Sequence, residues 1–173
     1  LGVSADVAVP GKDLGGTPAN LQEITHYAGL IGKPVKVLGG PAAAFGCGVE
    51  GGKVAEKADK MVSSLFDVIA CGDAEIVVSQ LIKEKLVESR VDRTLRREGG
   101  HEIGKYATKG AEIVRQHPNY PDTLICEIET YRGCPRSVSG GCSFCIEPLY
   151  GLPDFRPIND IIVEVKALYQ TGV

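Results

Sequence analysis

Along residues 1–86 short apolar runs alternate with amphipathic stretches, which is the pattern of strand, crossover helix and parallel strand. Three such units are read. Residues 5–9 form the first expected strand, followed by a Pro- and Gly-rich loop through Pro18 and a helix from about Asn20, a good N-cap, to Ile31. Gly32 and Pro34 stop that helix. Residues 35–38 are the second strand, with a glycine-dense loop over 39–52 and a helix over about 53–63 behind it. Residues 65–70 are the third. A helix then runs from Ala74 to about Leu86, because Ala74, Val77, Val78, Leu81 and Ile82 recur at three- and four-residue spacings. Glu75, Lys83 and Glu84 are left for solvent.

Residues 85–121 are polar and glycine-punctuated, with Arg90, Arg93, Arg96, Arg97 and the pair Gly99 and Gly100, and with one modest apolar cluster at Ile113 and Val114. Glu88, Asp92, Glu98 and Glu102 are mixed into the basic residues, so the stretch reads as solvated surface. Beyond it, residues 123–128 alternate and read as a strand with Leu124, Cys126 and Ile128 on one face and Ile125, Glu127 and Glu129 on the other. A Gly- and Pro-rich loop follows over 131–157, then a helix from about Asn159 or Asp160 to near Gly172. The expected organisation is an α/β domain over 1–87, an interdomain connection over 88–121 and a C-terminal βα unit over 122–173. One βα unit cannot bury both its faces, so it either leans on the first domain or is the opening of a larger barrel, and the barrel is the favoured reading.

Composition narrows the function. The 173 residues carry 19 basic and 22 acidic side chains, a net charge of -3, which gives no field for holding a polyanion. Tryptophan is absent and aromatics are 6%, so a stacking platform for single-stranded nucleic acid has little to be built from. No apolar run reaches the length of a membrane-spanning helix and no secretory layout opens the sequence, which reads as cytosolic. It starts at Leu1 with its single methionine at Met61, as a piece cut from a longer chain would.

Three of the six cysteines, Cys134, Cys142 and Cys145, crowd into twelve positions. Seven residues separate the first two and two separate the last two. In a chain able to build its own core this points to metal binding rather than disulfides. A loop with Gly133, Gly140, Gly141 and Ser143 lets several sulfurs converge while backbone amides point at an anionic cluster. Three thiolates on a four-iron cubane leave one iron open to a small molecule.

The string Tyr131-Arg-Gly-Cys134 followed by Gly141-Cys142-Ser-Phe-Cys145 resembles the cluster loop of radical S-adenosylmethionine enzymes. With Gly39-Gly40-Pro41 and Gly72-Asp73-Ala74-Glu75 upstream, the chain looks like archaeal iron–sulfur oxidoreductases that place a cobalamin-binding-like α/β domain before a radical S-adenosylmethionine barrel. The resemblance implies a partial Rossmann or flavodoxin-like parallel sheet followed by the first βα unit of the barrel. It implies a [4Fe-4S] cluster on Cys134, Cys142 and Cys145, with S-adenosylmethionine on the fourth iron and Phe144 beside its adenine. It further implies reductive cleavage to a 5'-deoxyadenosyl radical acting on a substrate, fed by an electron donor such as ferredoxin or flavodoxin. The gap of seven residues departs from the family's usual three. Cobalamin itself is suggested only as a domain shape, since its ligand histidine motif is not found in residues 1–173.

Other readings compete. A structural zinc site would take Cys126 as a fourth thiolate, in an α/β module binding a nucleotide or partner through its Gly-rich loops, although a cysteine in a strand also serves as a small buried hydrophobe. Cys47 and Cys71 have no partner spacing and read as core or loop residues. Gly46-Cys-Gly48-Val-Glu-Gly51 matches the dinucleotide fingerprint literally, but Pro41 to Phe45 stands between it and the strand, so turn geometry is favoured. Gly11-Lys12 lacks the rest of a phosphate loop. His26, His101 and His117 read as surface residues, and Glu127 and Glu129 receive no role.

Overall fold

The computed structural model describes residues 2–4, 21–32, 35–45, 64–122, 124–142 and 145–173. The chain divides into two compact units, Leu1–Arg96 and Arg97–Val173.

In the first unit, β1 (Gly2–Ser4), β2 (Val37–Gly39) and β3 (Val68–Ile69) form a parallel sheet in that order. Gly2 stands opposite Val37, and Leu38 lies opposite both Val3 and Ile69. Successive strand residues face opposite sides, so β2 feeds two cores. Leu38 packs with Ala28 of α1 (Leu21–Leu30), Ala42 and Ala43 of α2 (Pro41–Phe45), and Phe66. Val37 packs with Val68, Ala70 and, on α3 (Ala74–Lys83), Val77 and Leu81. Helices therefore cover both faces of the sheet, the arrangement that parallel pairing demands and the reason β2 is apolar on both sides.

The expected helices over 20–31 and 74–86 are α1 and α3, and the expected second and third strands are β2 and β3, each shorter than the apolar run that announces it. Apolar runs report burial, and here only two or three residues of each make ladder bonds. α3 stops at Lys83 because Lys85 and Leu86 adopt left-handed φ values of 56° and 64°, with the Leu86 amide donating to the Leu81 carbonyl at 2.9 Å. The glycine-dense loop over 39–52 is corrected at its start, where α2 forms. Proline suits the first helical position, the alanines after it favour helix, and Ala42, Ala43 and Phe45 are buried. The expected strand over 5–9, the helix over 53–63 and the fingerprint glycines Gly46, Gly48 and Gly51 lie outside the described residues, as do Gly11, Lys12 and Cys47. Residues 93–95 run beside the start of α3, where the Gly72 and Asp73 amides donate to the carbonyls of Arg93 and Leu95, each at 2.8 Å.

The second unit begins with a 3₁₀ turn (Gly100–Ile103), α4 (Gly104–Gly110) and another 3₁₀ turn (Ala111–Gln116). α4 and the second of these turns pack against α5 (Ile158–Thr171), and the Tyr120 hydroxyl donates to the Thr171 carbonyl. This part of the expected connection is thus helical. Ile103, Tyr106, Ala107, Ala111 and Val114 recur at helical spacing and are buried or half-buried, a stripe that the polar composition masks.

The strand expected over 123–128 does not form within 124–128. Alternation is only half of what a strand needs; a ladder partner is the other half. Pairing begins at β4 (Tyr131–Arg132), where β5 (Asp154–Phe155) runs antiparallel with Tyr131 opposite Phe155 and Arg132 opposite Asp154. Cys126 is exposed and not a buried hydrophobe. The C-terminal unit is therefore a hairpin carrying the cysteine loop, followed by α5. No helix among the described residues is long and apolar enough to cross a membrane.

Candidate metal centre

The hairpin sets where the cysteine loop leaves and returns. Past β4, the Gly133 amide donates to Glu147 Oε2 at 2.9 Å and the Cys134 amide to the Gly151 carbonyl at 2.9 Å. Gly133 has φ 91°, and a Cβ there would lie 2.5 Å from the Leu152 carbonyl oxygen, so no other residue fits without backbone movement. The Tyr131 and Phe155 rings stack below, 5.3 Å apart, and the Arg132 guanidinium lies 4.9 Å from the Tyr150 ring centroid.

Cys134 caps a 3₁₀ turn (Pro135–Ser139), its Sγ accepting from the Arg136 amide at 3.4 Å. The Arg136 carbonyl accepts from the Gly141 amide at 3.0 Å, from the Ser139 hydroxyl at 3.1 Å and from the Gly140 amide. Arg136 Nη1 donates to Cys142 Sγ at 3.2 Å. The chain can reverse here because Gly141 has φ 73° and lies so close to the second 3₁₀ turn (Glu147–Tyr150) that a Cβ would meet Pro148 Cγ at 2.3 Å. Finally, the Cys145 amide donates to the Cys142 carbonyl at 3.2 Å.

Cys134, Cys142 and Cys145 are all half-buried and unbridged. Arg136 brings the first two to one residue; the third follows one tight turn later. Among the described residues no group of three or more His, Cys, Asp or Glu side chains stands close enough to hold a metal ion, so the three sulfurs share a loop without meeting at one point. Phe144, between the last two, lies outside the described residues. In kind the donors suit an iron–sulfur cluster: thiols on a tight glycine-bearing loop, with a backbone N–H and a guanidinium already directed at sulfur.

A charge network underlies the hairpin. The Arg156 side chain, 1% exposed, donates from Nη1 to the Glu129 carbonyl at 2.7 Å and forms an ion pair with Glu164 Oε2 of α5 at 2.6 Å, while its amide donates to the Thr130 carbonyl at 3.0 Å. Arg97, with its side chain 4% exposed, pairs with Glu129 Oε1 at 2.9 Å. Glu129 thus has a structural partner, whereas Glu127 is exposed. His26, His101 and His117 are exposed, as is Cys71. The sequence reading missed Arg136, Glu147 and Arg156. An arginine directly after Cys-Pro in a lengthened loop was the available signal for the first.

Fold and loop together define an α/β chain whose second unit presents unbridged cysteines on a hairpin. It is similar to an uncharacterized protein of Methanocaldococcus jannaschii, with 46% identity over 170 residues covering 95% of this chain and 30% of the relative. It is also similar to an uncharacterized protein of Archaeoglobus fulgidus, with 39% identity over 173 residues covering 99% of this chain and 27% of the relative. The chain spans less than a third of the length of these relatives. No family model and no solved structure matches it.

Proposed function

We propose that this chain is part of a radical S-adenosylmethionine iron–sulfur enzyme in which Cys134, Cys142 and Cys145 hold a [4Fe-4S] cluster. The observation that carries the reading is the loop itself: three unbridged cysteines, closed at the base by Cys134 and Gly151, with Arg136 directed at two of the sulfurs. When bound, such a cluster supplies an electron to the sulfonium of S-adenosylmethionine, and the reaction class is reductive cleavage followed by hydrogen abstraction from a substrate. The protein's own share is positional. Gly133 and Glu147 fix the base of the loop and Arg136 offsets negative charge at the sulfurs, while the resemblance assigns Phe144 to the adenine. The first unit, with a parallel sheet covered on both faces, is read as part of a cobalamin-binding-like domain of Rossmann or flavodoxin type, and the hairpin and α5 as the opening of the barrel. A ferredoxin or flavodoxin is the fitting electron donor, and a reducing cytosol suits unbridged thiols.

Anaerobic reconstitution with iron and sulfide tests this. The expected product is a brown protein with about four irons per chain, whose absorption and spin-resonance signal change on adding S-adenosylmethionine, and which loses them in Cys134→Ala, Cys142→Ala or Cys145→Ala. A colourless chain that takes up one zinc through Cys126 would instead support the α/β binding module with a zinc loop.

A further inference from the structure

The loop is four residues longer between its first two cysteines than the pattern it resembles, and something must bring those cysteines back together. We infer that Arg136 is the positioning residue that closes this gap, holding the Cys134 sulfur to its amide and the Cys142 sulfur to its guanidinium. The amide, the carbonyl and the side chain of the residue are all engaged in that closure. The amide donates to Cys134 Sγ at 3.4 Å, the carbonyl accepts from Ser139 and Gly141 at 3.1 and 3.0 Å, and Nη1 donates to Cys142 Sγ at 3.2 Å. The amide and carbonyl bonds belong to the backbone and survive substitution by any residue except proline, so they build the 3₁₀ turn whatever the side chain. Among the described residues, the guanidinium is the side chain that spans from that turn to the Cys142 sulfur. It is long, planar and permanently charged, so it can reach across the turn and remain a donor to sulfur whether or not a cluster is present.

The inference rests on the proposed function only for its bearing on a cluster; the closure itself is a property of the metal-free loop. It is tested in the full chain with Cys47, Cys71, Cys126 and Cys145 replaced by serine, which leaves Cys134 and Cys142. Dibromobimane bridges two thiols only when they lie within a few ångströms, and its yield is divided by the rate of single attachment of monobromobimane to remove differences in thiol reactivity. Arg136→Ala is expected to lower the normalised bridging several-fold while far-ultraviolet circular dichroism stays unchanged, and Arg136→Lys to recover part of it. Equal bridging in wild type and R136A overturns the inference.

With all six cysteines present and the chain reconstituted, R136A is expected to lose its cluster to a chelator several-fold faster, and its midpoint potential should move to more negative values because a positive charge beside the sulfurs is gone. R136K should restore the potential more fully than the retention. A wild-type chain that takes up no iron–sulfur cluster sinks the proposed function, while the bimane result still judges Arg136. A cluster whose retention and potential ignore R136A sinks the inference and leaves the proposed function standing.

Discussion

Lys85 and Leu86 end α3 with two successive non-glycine residues at left-handed φ, and for L residues that conformation costs about 1–2 kcal/mol each. Glycine removes the steric cost but adds about 0.5–1 kcal/mol of unfolded-state entropy. Lys85→Gly is therefore expected to leave stability unchanged or raise it by up to about 1.5 kcal/mol, read from the urea transition. A clear loss of stability would show that the left-handed turn is not the conformation in solution. Asp92 offers a second residue-level test. Its Oδ1 accepts from the Thr94 hydroxyl at 2.7 Å and the Thr94 amide at 2.9 Å, and these bonds hold its carboxyl below the ordinary 3.8. A lowered folded pKa means the associated stabilisation is present above the unfolded value and is lost as pH falls through the folded one. Carboxyl NMR titration should place the Asp92 midpoint below 3.8, and Thr94→Val should raise it, since the hydroxyl bond is the larger cause. An unshifted midpoint in the variant would assign the effect to the amide. At this scale the cysteines were legible because thiols at close spacing carry their chemistry in their identity; Arg136 was not, because its role depends on how the loop reverses.

Among the elements, α1, α3 and α5 were legible where apolar residues recur every three or four positions, and a glycine follows α1 and α5. The helical turns over 100–116 were hidden by their surroundings, since charged and glycine residues outnumber the stripe of Ile103, Tyr106, Ala107, Ala111 and Val114. Residues 124–128 failed in the opposite sense: they alternate well, but alternation says nothing about whether a neighbouring strand exists to complete the ladder. The hairpin that does form is tied to α5 by an ion pair no periodicity could reveal. Arg156 is 1% exposed at its side chain and Glu164 is 12% exposed. Glu164→Ala leaves the guanidinium buried without its carboxylate and is expected to cost about 3–5 kcal/mol in chemical denaturation. The double replacement Arg156→Met with Glu164→Leu should cost far less, because neither charge then has to be desolvated. If E164A and the double variant are equally destabilised, the pair is not what holds α5 to the hairpin.

At the scale of the molecule, accessibility orders the thiols. Cys71 and Cys126 are exposed while Cys134, Cys142 and Cys145 are half-buried, so brief alkylation of the metal-free chain followed by mass spectrometry should label the first two ahead of the loop. Reconstitution should then protect the three loop cysteines and leave Cys71 and Cys126 reactive; protection of Cys126 instead would mark it as a ligand. The α/β character of the first unit was readable because a parallel sheet covered on both sides must be written as apolar runs separated by amphipathic helices. The site was readable only as a set of candidate ligands, since among the described residues the three sulfurs do not meet at one point. The two hydrogen bonds at the base of the loop, from Gly133 to Glu147 and from Cys134 to Gly151, also bear on how such a sequence can change over time. They separate the loop's perimeter from its foundation. Doubling the length of a closed segment adds only about 0.6 kcal/mol of closure entropy, so residues can be gained or lost around Val138 with the hairpin undisturbed. Lineages carrying this scaffold are free to retailor the rim while inheriting the footing unchanged.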